Sequence, residues 1–204
     1  MPKSTFNNLS ESKRKHFINE SYKEFGLHSY ESASITNLVK KLGIAKGSVY
    51  QYFDDKRDLY QFLITEANLQ LDTLVTKACP YQNEPFFDWY LKLIMVEVKF
   101  YLSFPQYAIM FQQLMTATDN DLKEVCAELY NNWKNKIEDN TPYKIGSSAV
   151  SINQLVNAPL YIFNLITKDL DLESLINNGE PVFMETKDLV NLCTVWVRKL
   201  EHGQ

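Results

Sequence analysis

The chain has 204 residues, 45% hydrophobic and 13% aromatic, which is ample for a core and excludes a disordered polymer. Its formal net charge of -4 argues against a polyanionic partner for the chain as a whole, but the charge is uneven: residues 1–60 hold ten basic and seven acidic side chains, the remainder eleven and eighteen. A front end of +3 on a body of -7 suits local contact with a polyanion, with chance asymmetry as the competing explanation.

Cys79, Cys126 and Cys193 are odd in number and lack metal-ligand spacing, so they read as free buried thiols in a reducing compartment. The start, MPKSTFNNLSESKRK, has no signal-peptide core, and the longest aliphatic run, Leu93 to Val96, is too short for a bilayer. The expectation is a cytoplasmic protein with no membrane partner.

Apolar residues recur at helical spacing nearly throughout, and strand signals are few, so the chain reads as all-α. The first helix is predicted from about Ser10 to Phe25, with Ser10 or Ser12 as cap, Phe17, Ile18, Ser21, Tyr22 and Phe25 inward, and Gly26 as the stop. The second runs from near Ser34 to Leu42. Its Ile35, Leu38, Val39 and Leu42 form one buried face, and Thr36, Asn37, Lys40 and Lys41 stay outside. Gly43 supplies a left-handed turn into a third helix, about Lys46 to Phe53, which buries Val49 and Phe53. Asp54 or Asp55 caps a fourth, with Leu59, Phe62, Leu63, Ala67 and Leu71 inward, ending before Pro80.

Pro85 opens a helix reaching about Phe104, and Pro105 opens another through Met115. A helix from Asp119 to Ile137 closes at Asn140-Thr141-Pro142. A long apolar helix follows from about Ser147 to Thr167, kinked at Pro159. After a loop at Asn177-Asn178-Gly179, the last helix runs from about Pro181 to Leu200.

Helix, short glycine turn, helix is the helix-turn-helix pattern, in which the second helix is propped so that it enters the DNA major groove. With Val49 and Phe53 inward, Gln51 lies opposite the core, flanked by Gly47 and Ser48, with Lys46 at the amino end. Gln pairs in bidentate fashion with adenine, and Lys reaches guanine or phosphate. Tyr50, Tyr52 and Lys56 carry groups suited to phosphate oxygens. Two helices around a glycine are also common in any all-α protein.

The segment SITNLVKKLGIAKGSVYQYFDDKRDLY, extended back through FINESYKEFGLHSYESAS, resembles the amino-terminal domain of TetR-type transcriptional regulators over roughly residues 12–62. Gly43, Ile44, Lys46, Gly47, Ser48, Val49, Tyr50, Phe53, Lys56 and Leu59 stand in register with that signature. The resemblance implies a three-helix DNA-binding domain (1–56) on an all-helical ligand-binding and dimerising domain (57–204). It also implies DNA contacts at Ser34, Thr36, Lys46, Gly47, Ser48, Tyr50, Gln51, Tyr52 and Lys56. Two positions depart from the pattern: Ala45 stands where a capping Ser or Thr is usual, and Ser29 where Gly is usual.

Beyond about residue 62 no motif matches. The aromatic surplus of the body allows an apolar pocket, for which Tyr90, Phe111, Tyr130, Trp133 and Tyr161 are the candidates; each is also compatible with plain core. Asn153 and Gln154 sit in an apolar helix, with backbone or a dimer partner as equal prospects. Leu189, Leu192, Cys193, Trp196 and Leu200 define one side of the last helix, and Val190 and Val197 a neighbouring side. With Ala149, Ile152, Val156 and Ala158 of the preceding long helix, these suit a four-helix dimer interface, or cover by other helices of the same chain.

No catalytic constellation, phosphate loop or metal-ligand spacing is seen, the histidines are His16, His28 and His202, and Glu97, Glu124 and Glu128 read as solvated faces. No enzyme and no cofactor are expected. The expected function is a ligand-responsive DNA-binding regulator: a homodimer, more often a repressor in this family, released from a palindromic double-stranded operator by a small, largely apolar effector. The alternative is a helical protein-interaction module that does not bind DNA.

Overall fold

The computed structural model describes residues 2–140 and 151–201, and among these residues it contains helices and no strands. None of these helices is long and apolar enough to cross a membrane.

Four helices form the amino-terminal part: α1 (Ser4–Asn7), α2 (Glu11–Leu27), α3 (Ile35–Leu42) and α4 (Lys46–Tyr52). α3 buries Ile35, Leu38 and Val39 at the expected spacing. Gly43 ends it with φ 65° and ψ 30°. The Ile44 amide donates to the Val39 carbonyl at 3.1 Å and the Gly43 amide to Lys40 at 3.3 Å, a Schellman closure that redirects the chain into α4. α4 buries Val49, and Phe53 follows it into the core.

Sequence periodicity did not foresee α1. Its single apolar residue, Phe6, is 1% exposed and packs among Phe17, Tyr52, Phe53 and Phe62, with ring centroids 5.0–5.7 Å apart. Nor does Gly26 stop α2, which continues to Leu27. Gly26 lies where α2 crosses the helix at Pro105–Met115: a Cβ there would sit 2.6 Å from Cβ of Gln106 and 3.0 Å from its Cα. The glycine permits a close approach.

The body comprises α5 (Lys56–Ala78), α6 (Phe86–Ser103), α7 (Pro105–Met115), α8 (Asn120–Glu138), α9 (Ile152–Thr167), α10 (Leu172–Asn178) and α11 (Thr186–Glu201). Local caps explain most starts. Asp55 accepts from the Asp58 amide at 2.8 Å, Asp119 from those of Asp121 and Leu122, and Ser151 and Gln154 form a capping box. Gln154 is therefore satisfied locally. Pro159 lies inside α9 and is buried. Thr141, Pro142, Ser147 and Ala149, where the preceding turn and the helix start were expected, lie outside the described residues, as does His202.

α10 was not anticipated. Asp171 caps it and Gly179, at φ 70°, closes it. The last helix begins at Thr186 rather than Pro181, because the Val182 amide is engaged by the Leu102 carbonyl at the end of α6, at 2.7 Å.

α6 is central, packing on α5, α7, α9 and α11. Its Trp89 donates through Nε1 to the Cys79 carbonyl at 3.1 Å, and its Tyr90 hydroxyl to the Leu155 carbonyl at 2.6 Å. Burying each such large side chain contributes about 1.5–3 kcal/mol, and the two hydrogen bonds remove the penalty of burying polar atoms. α7 packs on α2 as well as on α5, α6 and α8, so it joins the body to the amino-terminal helices.

Candidate nucleic-acid interface and body cavity

The exposed face of α4 is polar and unencumbered. Lys46, Gly47, Tyr50 and Gln51 are exposed, as is Thr36 on α3, while Ser48 is half-buried. No ion-pair partner holds Lys46 among the described residues. Ala45 precedes α4 without a side-chain cap; its carbonyl accepts from the Ser48 amide at 2.9 Å, and the amides of Lys46 and Gly47 are left for another acceptor. Ser29 occupies a tight turn, its carbonyl accepting from the Ser32 and Ala33 amides at 3.0 and 2.8 Å.

Three expected contact residues have structural roles. Ser34 caps α3, its hydroxyl oxygen accepting from the Asn37 amide at 3.3 Å. Tyr52 is half-buried, its ring against Phe6 and Phe17. Lys56 donates to the carbonyls of Tyr30, Glu31 and Ala33 at 2.7, 3.1 and 3.2 Å, and its Nζ lies 4.8 Å above the Tyr30 ring. An ammonium carries three donors, and all three are engaged. Lys56 thereby binds the α2–α3 loop to α5.

Two devices that set the pose of the reading helix were missed in the sequence. The last carbonyls of α4 are satisfied from the start of the chain: Lys3 donates through its backbone amide to Tyr52 at 2.8 Å and through Nζ to Tyr50 at 2.9 Å, and Thr5 Oγ1 donates to Gln51. Lys3 Nζ also pairs with Asp54 at 2.8 Å. The second device is Glu24, which is 1% exposed. One of its oxygens accepts from the Ser34 amide at 3.0 Å and the other pairs with Lys41 at 3.2 Å, gripping α3 near both ends. A lone Phe in a polar stretch and an acid on an otherwise inward stripe were the available signals.

The body holds a cavity of about 450 Å³, partly open to solvent, between α5, α6, α7, α8 and α9. Phe111, Tyr130 and Trp133 line it. Trp133 donates through Nε1 to Asn68 at 3.0 Å, and the Tyr130 hydroxyl donates to Asn153. Two candidates lie elsewhere. Tyr90 is fully buried in packed core, its hydroxyl engaged by Leu155. Tyr161 is 50% exposed on the outer side of α9, with its ring 4.9 Å from that of Trp196 on α11. Leu165 and Val195 are also exposed on these two helices. Val197, expected on a second face of α11, is instead buried with Leu189, Cys193 and Leu200.

Glu97 is the main departure from expectation. It faces the cavity and is only 6% exposed, not solvated. Burial pushes its carboxyl up to about 8, partly opposed by Lys136. Burial also raises Cys79 and Cys193 to about 11 each.

The chain therefore combines a braced helix-turn-helix, whose second helix has an exposed polar face, with an all-helical body that carries a cavity. Residues 17–62 match the family described as bacterial regulatory proteins, tetR family. The whole chain shares its fold with solved proteins described as transcriptional regulators of the TetR family. A TetR family transcriptional regulator from Chloroflexus aurantiacus is similar with a TM-score of 0.78 at 24% identity, over 100% of this chain and 98% of that one. FadR from Bacillus subtilis, solved in complex with stearoyl-CoA, has a TM-score of 0.64 at 16% identity, over 93% and 98%. PfmR from Thermus thermophilus has a TM-score of 0.62 at 14% identity, over 94% and 96%. No curated protein matches the sequence significantly.

Proposed function

We propose that the protein is a ligand-responsive transcriptional repressor that binds a palindromic operator as a cytoplasmic homodimer and is released by a small, largely apolar effector. Residues 1–56 read DNA, and 57–204 sense the effector and pair the subunits. The observation that carries this proposal is the exposed face of α4, with Lys46, Tyr50 and Gln51 presented outward while both ends of α3 and the carboxyl end of α4 are fixed. A rigid helix with free amide, ammonium and phenol groups suits the major groove and its flanking phosphates. The apolar patch of Tyr161, Leu165, Val195 and Trp196 on α9 and α11 supports pairing, and two-fold pairing supplies the second half-site.

The cavity supports the response. α7 lines it with Phe111, Leu114 and Met115 and also meets α2, where the Tyr107 and Tyr22 rings are 4.3 Å apart. The Tyr60 hydroxyl on α5 donates to the Met110 carbonyl of α7 at 3.1 Å. An effector that prefers one position of α7 therefore biases α2 and α5 together, and with them the spacing of the two reading helices. That FadR of Bacillus subtilis, similar in fold, was solved in complex with stearoyl-CoA supports an effector with a long apolar part.

Selection of bound duplexes from a random pool tests the proposal. An inverted repeat is expected, and Gln51→Ala relaxes preference at one base per half-site. Recovery of no sequence, with binding to a protein partner instead, would favour an interaction module and overturn the proposal.

A further inference from the structure

Glu97 is an acid in the wrong place for stability. Among the described residues its carboxyl has no hydrogen-bond or ion-pair partner, although it is only 6% exposed. The nearest cation acting on it, Lys136, pairs with Asp72 on α5 and lies 3.5 Å from Thr76 Oγ1. Tyr90, Tyr101 and Cys79 also feel its charge and are neutral donors. α7 and α9, which complete the surrounding wall, carry no charged side chain at all. Lys123, the cation on the cavity lining, is exposed.

Its carboxyl opens onto the cavity, no cation among the described residues pairs with it, and ionising it there is costly. Glu97 therefore contributes little to holding the fold. It faces a 450 Å³ space whose other walls include Phe111, Leu114, Val156 and Leu160. An apolar anion entering that space would meet a like charge or have to keep both groups protonated, whereas a cation would supply the missing partner. Within the reading of this cavity as the effector site, we propose that it selects an apolar effector bearing a positive charge, for which Glu97 is the counter-charge. The aromatic rings of Phe111, Tyr130 and Trp133 add faces on which such a cation rests favourably.

In the empty site near neutral pH the carboxyl is mostly protonated. Binding of a permanent cation favours the ionised form, and the proton leaves to solvent. Affinity then rises about tenfold per pH unit below the carboxyl's own pKa and levels off above it.

The test uses the full chain and three probes of similar shape: phenylbutyltrimethylammonium, its neutral tert-butyl analogue, and phenylbutyrate. Titration by calorimetry, with Trp133 fluorescence as a second readout, gives each affinity. The cation is expected to bind at least about tenfold tighter than the neutral analogue at pH about 8, with phenylbutyrate the weakest. The cation's affinity should fall as pH drops towards about 6. Glu97→Gln should abolish both the preference and the pH dependence while keeping the neutral analogue within about twofold. If the neutral analogue or phenylbutyrate binds as tightly as the cation, or the wild-type pH profile is flat, the charge selection is overturned while the cavity reading stands. If no probe binds, the cavity reading falls and the proposal falls with it. The wild-type pH profile decides even if the variant does not fold.

Discussion

Gly26→Ala sets two effects of known size against each other. Inside a helix, Ala is favoured over Gly by about 1 kcal/mol, so a free α2 would gain. The new Cβ, however, lies 2.6 Å from Cβ of Gln106 and 3.0 Å from its Cα. Carbon atoms rest about 3.5–4.0 Å apart, so α2 and α7 must separate by about 1 Å. Neither contact is with the far end of a flexible side chain, so rotation of Gln106 gives no relief. Overpacking of this kind costs about 1–3 kcal/mol, and the shift also strains the Tyr22–Tyr107 ring contact a turn away. Overpacking should win, with a net loss of up to about 2 kcal/mol and a Tm lower by up to about 8 °C. Urea unfolding at fixed protein concentration measures the loss, and operator affinity with and without effector shows whether the α2–α7 seam carries the response. A variant as stable as wild type or more so would refute this account of the seam.

Glu97→Gln should stabilise the protein in alkaline solution. The wild-type carboxyl titrates near 8 when folded against an ordinary value of 4.5. The folded state therefore holds a proton that the unfolded chain has released, and wild-type stability falls as pH rises between those values, by on the order of a few kcal/mol. The two melting curves should coincide near pH 4–5 and diverge by about pH 9; parallel profiles would contradict the burial of the acid. Lys56→Ala should cost about 2 kcal/mol by freeing three carbonyls and a ring, measured by denaturant unfolding. It should leave the slope of operator affinity against salt unchanged, where loss of a phosphate contact would reduce that slope by about one. Phe6→Ala should destabilise by about 3–5 kcal/mol, and hydrogen exchange should show faster opening of the Tyr50 to Tyr52 end of α4.

The parts legible in sequence were those fixed by local rules. Ile35, Leu38 and Val39 repeat at helical spacing, and Gly43 stands where only a left-handed residue fits, so the helix-turn-helix could be placed almost to the residue. α1 could not, since four residues carry no period and Phe6 declares itself only through rings brought in from α2, α4 and α5. Periodicity says that a side chain points inward, not what it meets there. Hence Phe111, Tyr130 and Trp133 reach a void while Tyr90 meets packed atoms and Tyr161 stands outside. For the same reason Glu97 passed as a surface acid: its burial depends on how α5, α8 and α9 close over α6. Lys56 shows the converse, a residue whose position fits the expected interface but whose three donors are already taken by the loop it anchors.

α7 lies between the cavity and α2 and carries no Asp, Glu, Lys, Arg or His along its length, PQYAIMFQQLM. Its position is governed by shape, which dissolved ions do not screen, whereas the phosphate contact proposed for Lys46 would be governed by charge, which they do. Ionic strength should therefore loosen the protein from its operator without blunting the movement that an effector drives inside it. Sensing and reading, though joined by one seam, should then separate along the salt axis.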